Sequence, residues 1–124
     1  MFYIDNKSRV PIYEQIKTQI IEMIMLGVLK PHDKLPSIRS LSADLNLNVN
    51  TVKKAFSELE LVGVIYTLTG RGSFISENAL DNSSLKEKAL KDIEMAVKTG
   101  WSNGLDREEI IKVIDRIYNE RQLS

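Results

Sequence analysis

The order of elements between Pro36 and Ser76 constrains this chain more than any other feature. Two short stretches with helical spacing are separated by the three residues Asn46-Leu47-Asn48, and the second runs into two β-prone segments joined through Gly70-Arg71-Gly72. Ile38, Leu41, Ser42 and Leu45 share one face of the first stretch, and Val52, Ala55, Phe56, Leu59 and Val62 share one face of the second. That spacing is the one expected of helices docked on a common core. Ser37 and Asn48 suit the N-caps of the two helices, with Asn50 an alternative to Asn48, and Gly63 suits the stop of the second. Val64–Thr67 and Ser73–Ser76 are rich in Val, Ile, Tyr, Phe and Thr, as strands are. This order predicts a helix-turn-helix followed by a β-hairpin wing.

The flanking sequence adds helices on both sides. Met1–Arg9 reads as an extended arm. A helix is expected over 11–26, with Pro11 in its first turn, Tyr13, Ile16, Ile20, Met23 and Ile24 on its apolar face, and Gly27 as its stop. The segment 28–36 contains Pro31 and Pro36, so no helix crosses it; Val28, Leu29 and Leu35 are expected beneath the core. Residues 77–83 read as a polar linker. Helices are then expected over 84–99 and 106–120, separated by a break at Gly100–Gly104, with Asp106 and Glu109 spaced as an acidic capping box. The fold class is therefore mainly α with a small β-hairpin. A winged helix-turn-helix domain occupies 1–76 and a helical dimerisation region 84–124.

Two helices cannot enclose a large core of their own. Leu85, Ala89, Ile93 and Val97 on the first, Ile110, Val113, Ile114, Ile117 and Tyr118 on the second, and Trp101 between them need a partner surface. That surface is the N-terminal domain or the same hairpin of a second chain; the second chain is expected, because two-fold symmetry suits a reader of palindromic sites.

Composition removes whole classes of function. Among the 124 residues there is no Cys, hence no disulfide framework, zinc knuckle or thiol nucleophile; a reducing, cytoplasmic setting is expected. No apolar run approaches the length of a membrane span, and the N-terminus lacks the pattern of a secretory signal. The single His32 has no second His or Cys with which to hold a transition metal, and it reads as a loop residue. No P-loop, dinucleotide fingerprint or nucleophile elbow is present. An enzyme is not expected, nor any cofactor.

Charge is balanced overall, 17 basic against 17 acidic residues, with a pI near 6.6. That is not the bulk signature of a nucleic-acid binder. Residues 1–76 carry net +2 and residues 77–124 net −2, so local placement of cations must matter more than total charge. The polar side of the second helix of the pair offers Asn50, Thr51 and Lys53, with Lys54 near its edge, to the major groove of DNA. Arg71, between two glycines, stands at a hairpin tip where it can enter a narrow minor groove.

The spacing Gly27-x-Leu29-x-Pro31-x-x-x-Leu35-Pro36-Ser37-x-Arg39-x-Leu41 resembles the GntR family of bacterial transcription regulators. So do Asn50-Thr51-Val52-x-x-Ala55-Phe56-x-x-Leu59 and Gly70-Arg71-Gly72-Ser73-Phe74-Ile75. The opening Ile4-Asp5 and Pro11-Ile12-Tyr13-x-Gln15-Ile16 is similar to the YtrA branch of that family, which also carries a short C-terminal part. The resemblance implies a homodimeric winged helix-turn-helix repressor bound to a two-fold DNA operator. It implies contacts from Arg39, from Asn48, Asn50, Thr51 and Lys53, and from Thr69, Gly70 and Arg71. Val49 departs from the Arg or Pro common there in the family; a branched apolar side chain can touch a thymine methyl but makes no bidentate bond to guanine. A small-molecule effector, where one acts, is expected at the hairpin seam near Trp101. The competing expectation is a winged-helix adaptor that binds protein instead of DNA.

Overall fold

The computed structural model describes residues 2–81 and 83–123. Helices α1 (Ile12–Met25), α2 (Ile38–Leu45) and α3 (Val49–Leu61) precede an antiparallel hairpin of β1 (Ile65–Leu68) and β2 (Gly72–Ile75). Helices α4 (Ser83–Ser102) and α5 (Arg107–Leu123) complete the chain. It forms two compact units, Met1–Leu85 and Lys86–Ser124.

The first unit is organised around one apolar cluster. Ile16, Ile20 and Met23 of α1, Leu41 of α2 and Val52, Ala55, Phe56 and Leu59 of α3 meet Leu29, Leu35, Val64, Ile65 and Ile75. These are the helical faces expected from the spacing. Leu29 and Leu35 are buried as expected, but Val28 is 57% exposed; the N–H groups of Val28 and Leu29 both close on the carbonyl of Met23, and only the side chain of Leu29 enters the core. Pro11 is the N-cap of α1 and not its first helical residue. In the segment expected as a linker, Ala79 is 4% exposed and belongs to the core cluster. Leu85, expected on the dimer face, packs against the edge of that same core.

The N-terminal arm is clasped by two side-chain amides one helical turn apart. Gln15 accepts from the N–H of Asp5 at 2.9 Å and donates to its carbonyl at 3.0 Å. Gln19 does the same for Tyr3, accepting from its N–H at 2.9 Å and donating to its carbonyl. Alternate residues of an extended segment thus turn their polar backbone to α1, while Phe2 and Ile4 pack on the core. A glutamine amide carries the same donor and acceptor as a peptide group, so it serves here in place of a neighbouring strand.

The wing is wider than its two strands. Leu35 donates its N–H to Ser73 at 2.9 Å, Ile75 donates to Asp33 at 2.9 Å, and Lys34 bridges Phe74. The connection after α1 therefore lies along the free edge of β2, which also blunts that edge.

In the second unit, α4 continues through Gly100 and Trp101 to Ser102, three residues into the expected break. The chain reverses at Asn103-Gly104, where Leu105 donates to Gly100 at 3.0 Å and Gly104 to Trp101 at 3.1 Å; this pair of bonds satisfies the last carbonyls of the helix. Gly100 lies within the helix, and its missing side chain lets Leu105 and Ile110 pack close, with Leu105 Cδ1 3.2 Å from where a Cβ would be. Asp106 and Glu109 form the expected reciprocal cap of α5, at 2.9 and 3.3 Å. Ile93, Val97, Val113, Ile114, Ile117 and Tyr118 remain exposed. No described helix is long and apolar enough to cross a membrane.

Candidate nucleic-acid interface

Three local structures present the predicted residues. The first is the start of α2. The hydroxyl of Ser37 accepts from the N–H of Ser40 at 3.0 Å, which fixes the direction of the helix, and Arg39 stands exposed in its first turn. Among the described residues Arg39 has no acidic partner.

The second is the start of α3. Asn46 closes α2 in the left-handed conformation, φ +54°, which asparagine tolerates better than most residues. Leu47 tucks against the core and sets the angle between the two helices. Asn48 is the N-cap: its Oδ1 accepts from the N–H of Asn50 at 2.8 Å and its carbonyl from Thr51 at 3.0 Å. Asn48, Val49, Asn50 and Lys53 are exposed. Thr51 is half-buried on the flank of α3, so less of it is presented than its sequence position suggests. Lys54 is exposed, but its ammonium lies over the ring of Tyr13, which draws it to the α1 side.

The third is the wing tip. Arg71 donates its N–H to Leu68 at 2.9 Å, closing a turn with Gly70 at φ +77° in its third position, where glycine is favoured. Thr69, Gly70 and Arg71 are all exposed. One pair in from the tip end of the strands, Thr67 Oγ1 donates to Glu60 at 3.3 Å and pairs with Ser73 Oγ at 3.1 Å, tying the hairpin to α3.

A second anchor escaped sequence reasoning. His32, in the left-handed region at φ +69°, places Nδ1 2.8 Å from the Tyr66 hydroxyl and Nε2 3.3 Å from Glu77. Tyr66 in turn stacks on Phe74, centroids 5.5 Å apart. His32 is thus a loop residue, as expected, but one that binds the α1–α2 connection to both ends of the wing. Its partners stand 34 and 45 positions away, a separation that carries no periodic signal.

On the opposite side of α3, Lys17 is 15% exposed and pairs with Glu58 at 2.8 Å and Glu14 at 3.5 Å. Burial pulls the Lys17 pKa down, but Glu58 and Glu14 together outweigh it and hold the ammonium above the usual lysine range. Cations on that side are neutralised within the fold. Arg39, Lys53 and Arg71 have no carboxylate partner among the described residues. Amide and hydroxyl donors, uncompensated cations and two helix N-termini make a surface suited to phosphates and base edges. No group of metal-ligating side chains occurs among the described residues.

Residues 12–75 match the profile of the family described as "Bacterial regulatory proteins, gntR family". The chain belongs to the GntR family. It is 54% identical over 79 residues to the HTH-type transcriptional repressor YtrA of Bacillus subtilis, a match covering 64% of this chain and 61% of that protein. The uncharacterized HTH-type transcriptional regulator YhcF of the same organism is 38% identical over 113 residues, 89% of this chain and 93% of that one. Among solved structures, one titled as a transcriptional antiterminator from Listeria monocytogenes EGD-e superposes with TM-score 0.83 at 36% identity, covering 95% of this chain and 90% of that one. The DNA-binding domain of AraR, solved in complex with operator ORE1, superposes with TM-score 0.53 at 26% identity over 61% of this chain and 93% of that one. This GntR-family chain, YtrA-like in sequence, is a DNA-binding transcription regulator and not an enzyme.

Proposed function

We propose that the chain acts as a homodimeric repressor of a two-fold operator. Arg39 and the first turn of α3 read bases and phosphates in the major groove, and Arg71 follows the adjacent minor groove. The observation that carries this reading is the open surface formed by Arg39, Asn48, Asn50 and Lys53, whose side chains, among the described residues, make no hydrogen bond or ion pair beyond the Asn48 cap. Occupying a promoter would block transcription, as the name of the YtrA relative implies for that protein.

Dimerisation through α4 and α5 supplies the symmetry. The groove lined by Ile93, Val97, Gly100, Ile110, Ile114 and Ile117 is apolar, about 320 Å³, and a second hairpin offers the complementary apolar face. Covering these side chains contributes about 25 cal/mol for each Å² withdrawn from water. An adjoining cleft of about 560 Å³ beside Trp101, which shares Val97, Leu105 and Ile110 with that groove and is lined also by Asp106 and Arg107, is the candidate seat of an effector. Such a ligand acts only by preferring one arrangement of the dimer over another.

Zero net charge favours the rival, a protein-binding adaptor. Titrating a duplex with the full chain at increasing salt separates the two. The DNA reading predicts log affinity falling steeply and linearly with log salt as counterions are released; absence of duplex binding at low salt, with salt-insensitive protein binding, would favour the adaptor.

A further inference from the structure

The side chain of Lys34 crosses the wing. Its backbone bridges Phe74, yet its Cε lies 3.0 Å and its Nζ 3.9 Å from where a Cβ on Gly72 would be. Gly72 is two residues nearer the tip than Phe74 along β2, about 7 Å of strand. The lysine stem therefore runs over β2 towards Arg71, through space that only a glycine leaves open. Gly72 has φ +115°, so both its conformation and its missing side chain serve this crossing.

The ammonium arrives there without a counter-charge. Among the described residues Lys34 makes no salt bridge. The acids on neighbouring segments are engaged elsewhere: Asp33 accepts from the N–H of Lys30 at 2.8 Å, Glu77 meets His32, and Glu60 accepts from Thr67. Lys34 is exposed, as is Arg71. Two uncompensated cations thus stand at successive levels of one hairpin.

We propose that Lys34 is a second cation of the wing and contacts a backbone phosphate of duplex DNA, with Gly72 kept free of a side chain so that the lysine stem can reach it. This rests on the wing's role in the proposed DNA reading. A point charge on a flexible stem positions the wing on the backbone and carries no sequence preference.

The test compares full-length wild type, Lys34→Met, Lys34→Gln and Lys34→Arg on a mixed-sequence duplex and on a selected operator duplex, each of about 30 base pairs, over roughly 50–200 mM salt. Methionine preserves the apolar stem over Gly72, and glutamine is read in its place should that variant fail to fold. The expected result is a weakening by about the same factor on both duplexes, a salt slope reduced by about 1, and recovery in Lys34→Arg. Neutral variants with wild-type affinity and slope overturn the proposal while leaving the DNA reading intact. Loss confined to one sequence overturns the phosphate assignment. A wild type that binds neither duplex overturns the DNA reading, and Lys34 with it.

Discussion

The ammonium of Lys54 lies 4.0 Å above the centroid of the Tyr13 ring. The recognition helix and α1 thus share a cation at their seam, next to the Lys17–Glu58 pair one turn further along both helices. Of two adjacent lysines on α3, one is turned to the fold and the other, Lys53, is left exposed.

This division has a measurable consequence. Lys54→Met should lower unfolding free energy by about 0.5–1 kcal/mol, the usual worth of an exposed cation over an aromatic face, and should change DNA affinity less than Lys53→Met does. Urea unfolding and duplex titration of both variants check it. Equal stability for wild type and Lys54→Met would show that the ring contact contributes nothing.

The Lys17–Glu58 pair predicts an alkaline dependence. The folded-state pKa of Lys17 is raised above the usual 10.5, so its contribution is fully present below that pH and is lost as pH rises through the folded value. Glu58 is 34% exposed, and screening limits the pair to about 1 kcal/mol. The stability difference between wild type and Glu58→Gln should hold constant from neutral pH to about 10 and shrink above it. A difference that grows with alkalinity would reverse the assigned sign.

Arg39→Ala should cost about 1–3 kcal/mol in operator binding and relax preference at one base position, as expected for a bidentate base contact. Its exposed place in the first turn of α2 predicts an unchanged thermal midpoint. Wild-type affinity in the variant would remove Arg39 from the interface.

The apolar faces of α4 and α5 predict that Ile114→Asp in the full chain gives a monomer by sedimentation. Loss of the second half-site contact should then weaken operator binding by roughly 100-fold or more. Continued sedimentation as a dimer would place the seam elsewhere.

The first unit was legible in the sequence because its signals are local and periodic. The stripe Val52, Ala55, Phe56 and Leu59, the caps Ser37 and Asn48 and the tip Gly70-Arg71-Gly72 are each written within a few residues, and each takes the expected form. What escaped notice is long-range. The Gln15 and Gln19 clasp, the His32–Tyr66–Glu77 anchor and the Lys34 crossing depend on residues ten or more positions apart. The overrun of α4 past Gly100 is a further case: an isolated glycine reads as a break, whereas Gly100 stands where Leu105 and Ile110 pack closely on the helix, which no local pattern shows. Nothing local to Lys54 points to the ring of Tyr13, 41 positions earlier in the chain.

Selection of bound sequences from a pool of random duplexes tests the central claim most directly. An open Arg39–Asn48–Asn50–Lys53 surface, doubled by a two-fold axis through α4 and α5, predicts enrichment of a palindrome with half-sites about 34 Å apart or a multiple of it. A pool that emerges unenriched, or that converges on one unrepeated half-site while the protein remains dimeric, would contradict it.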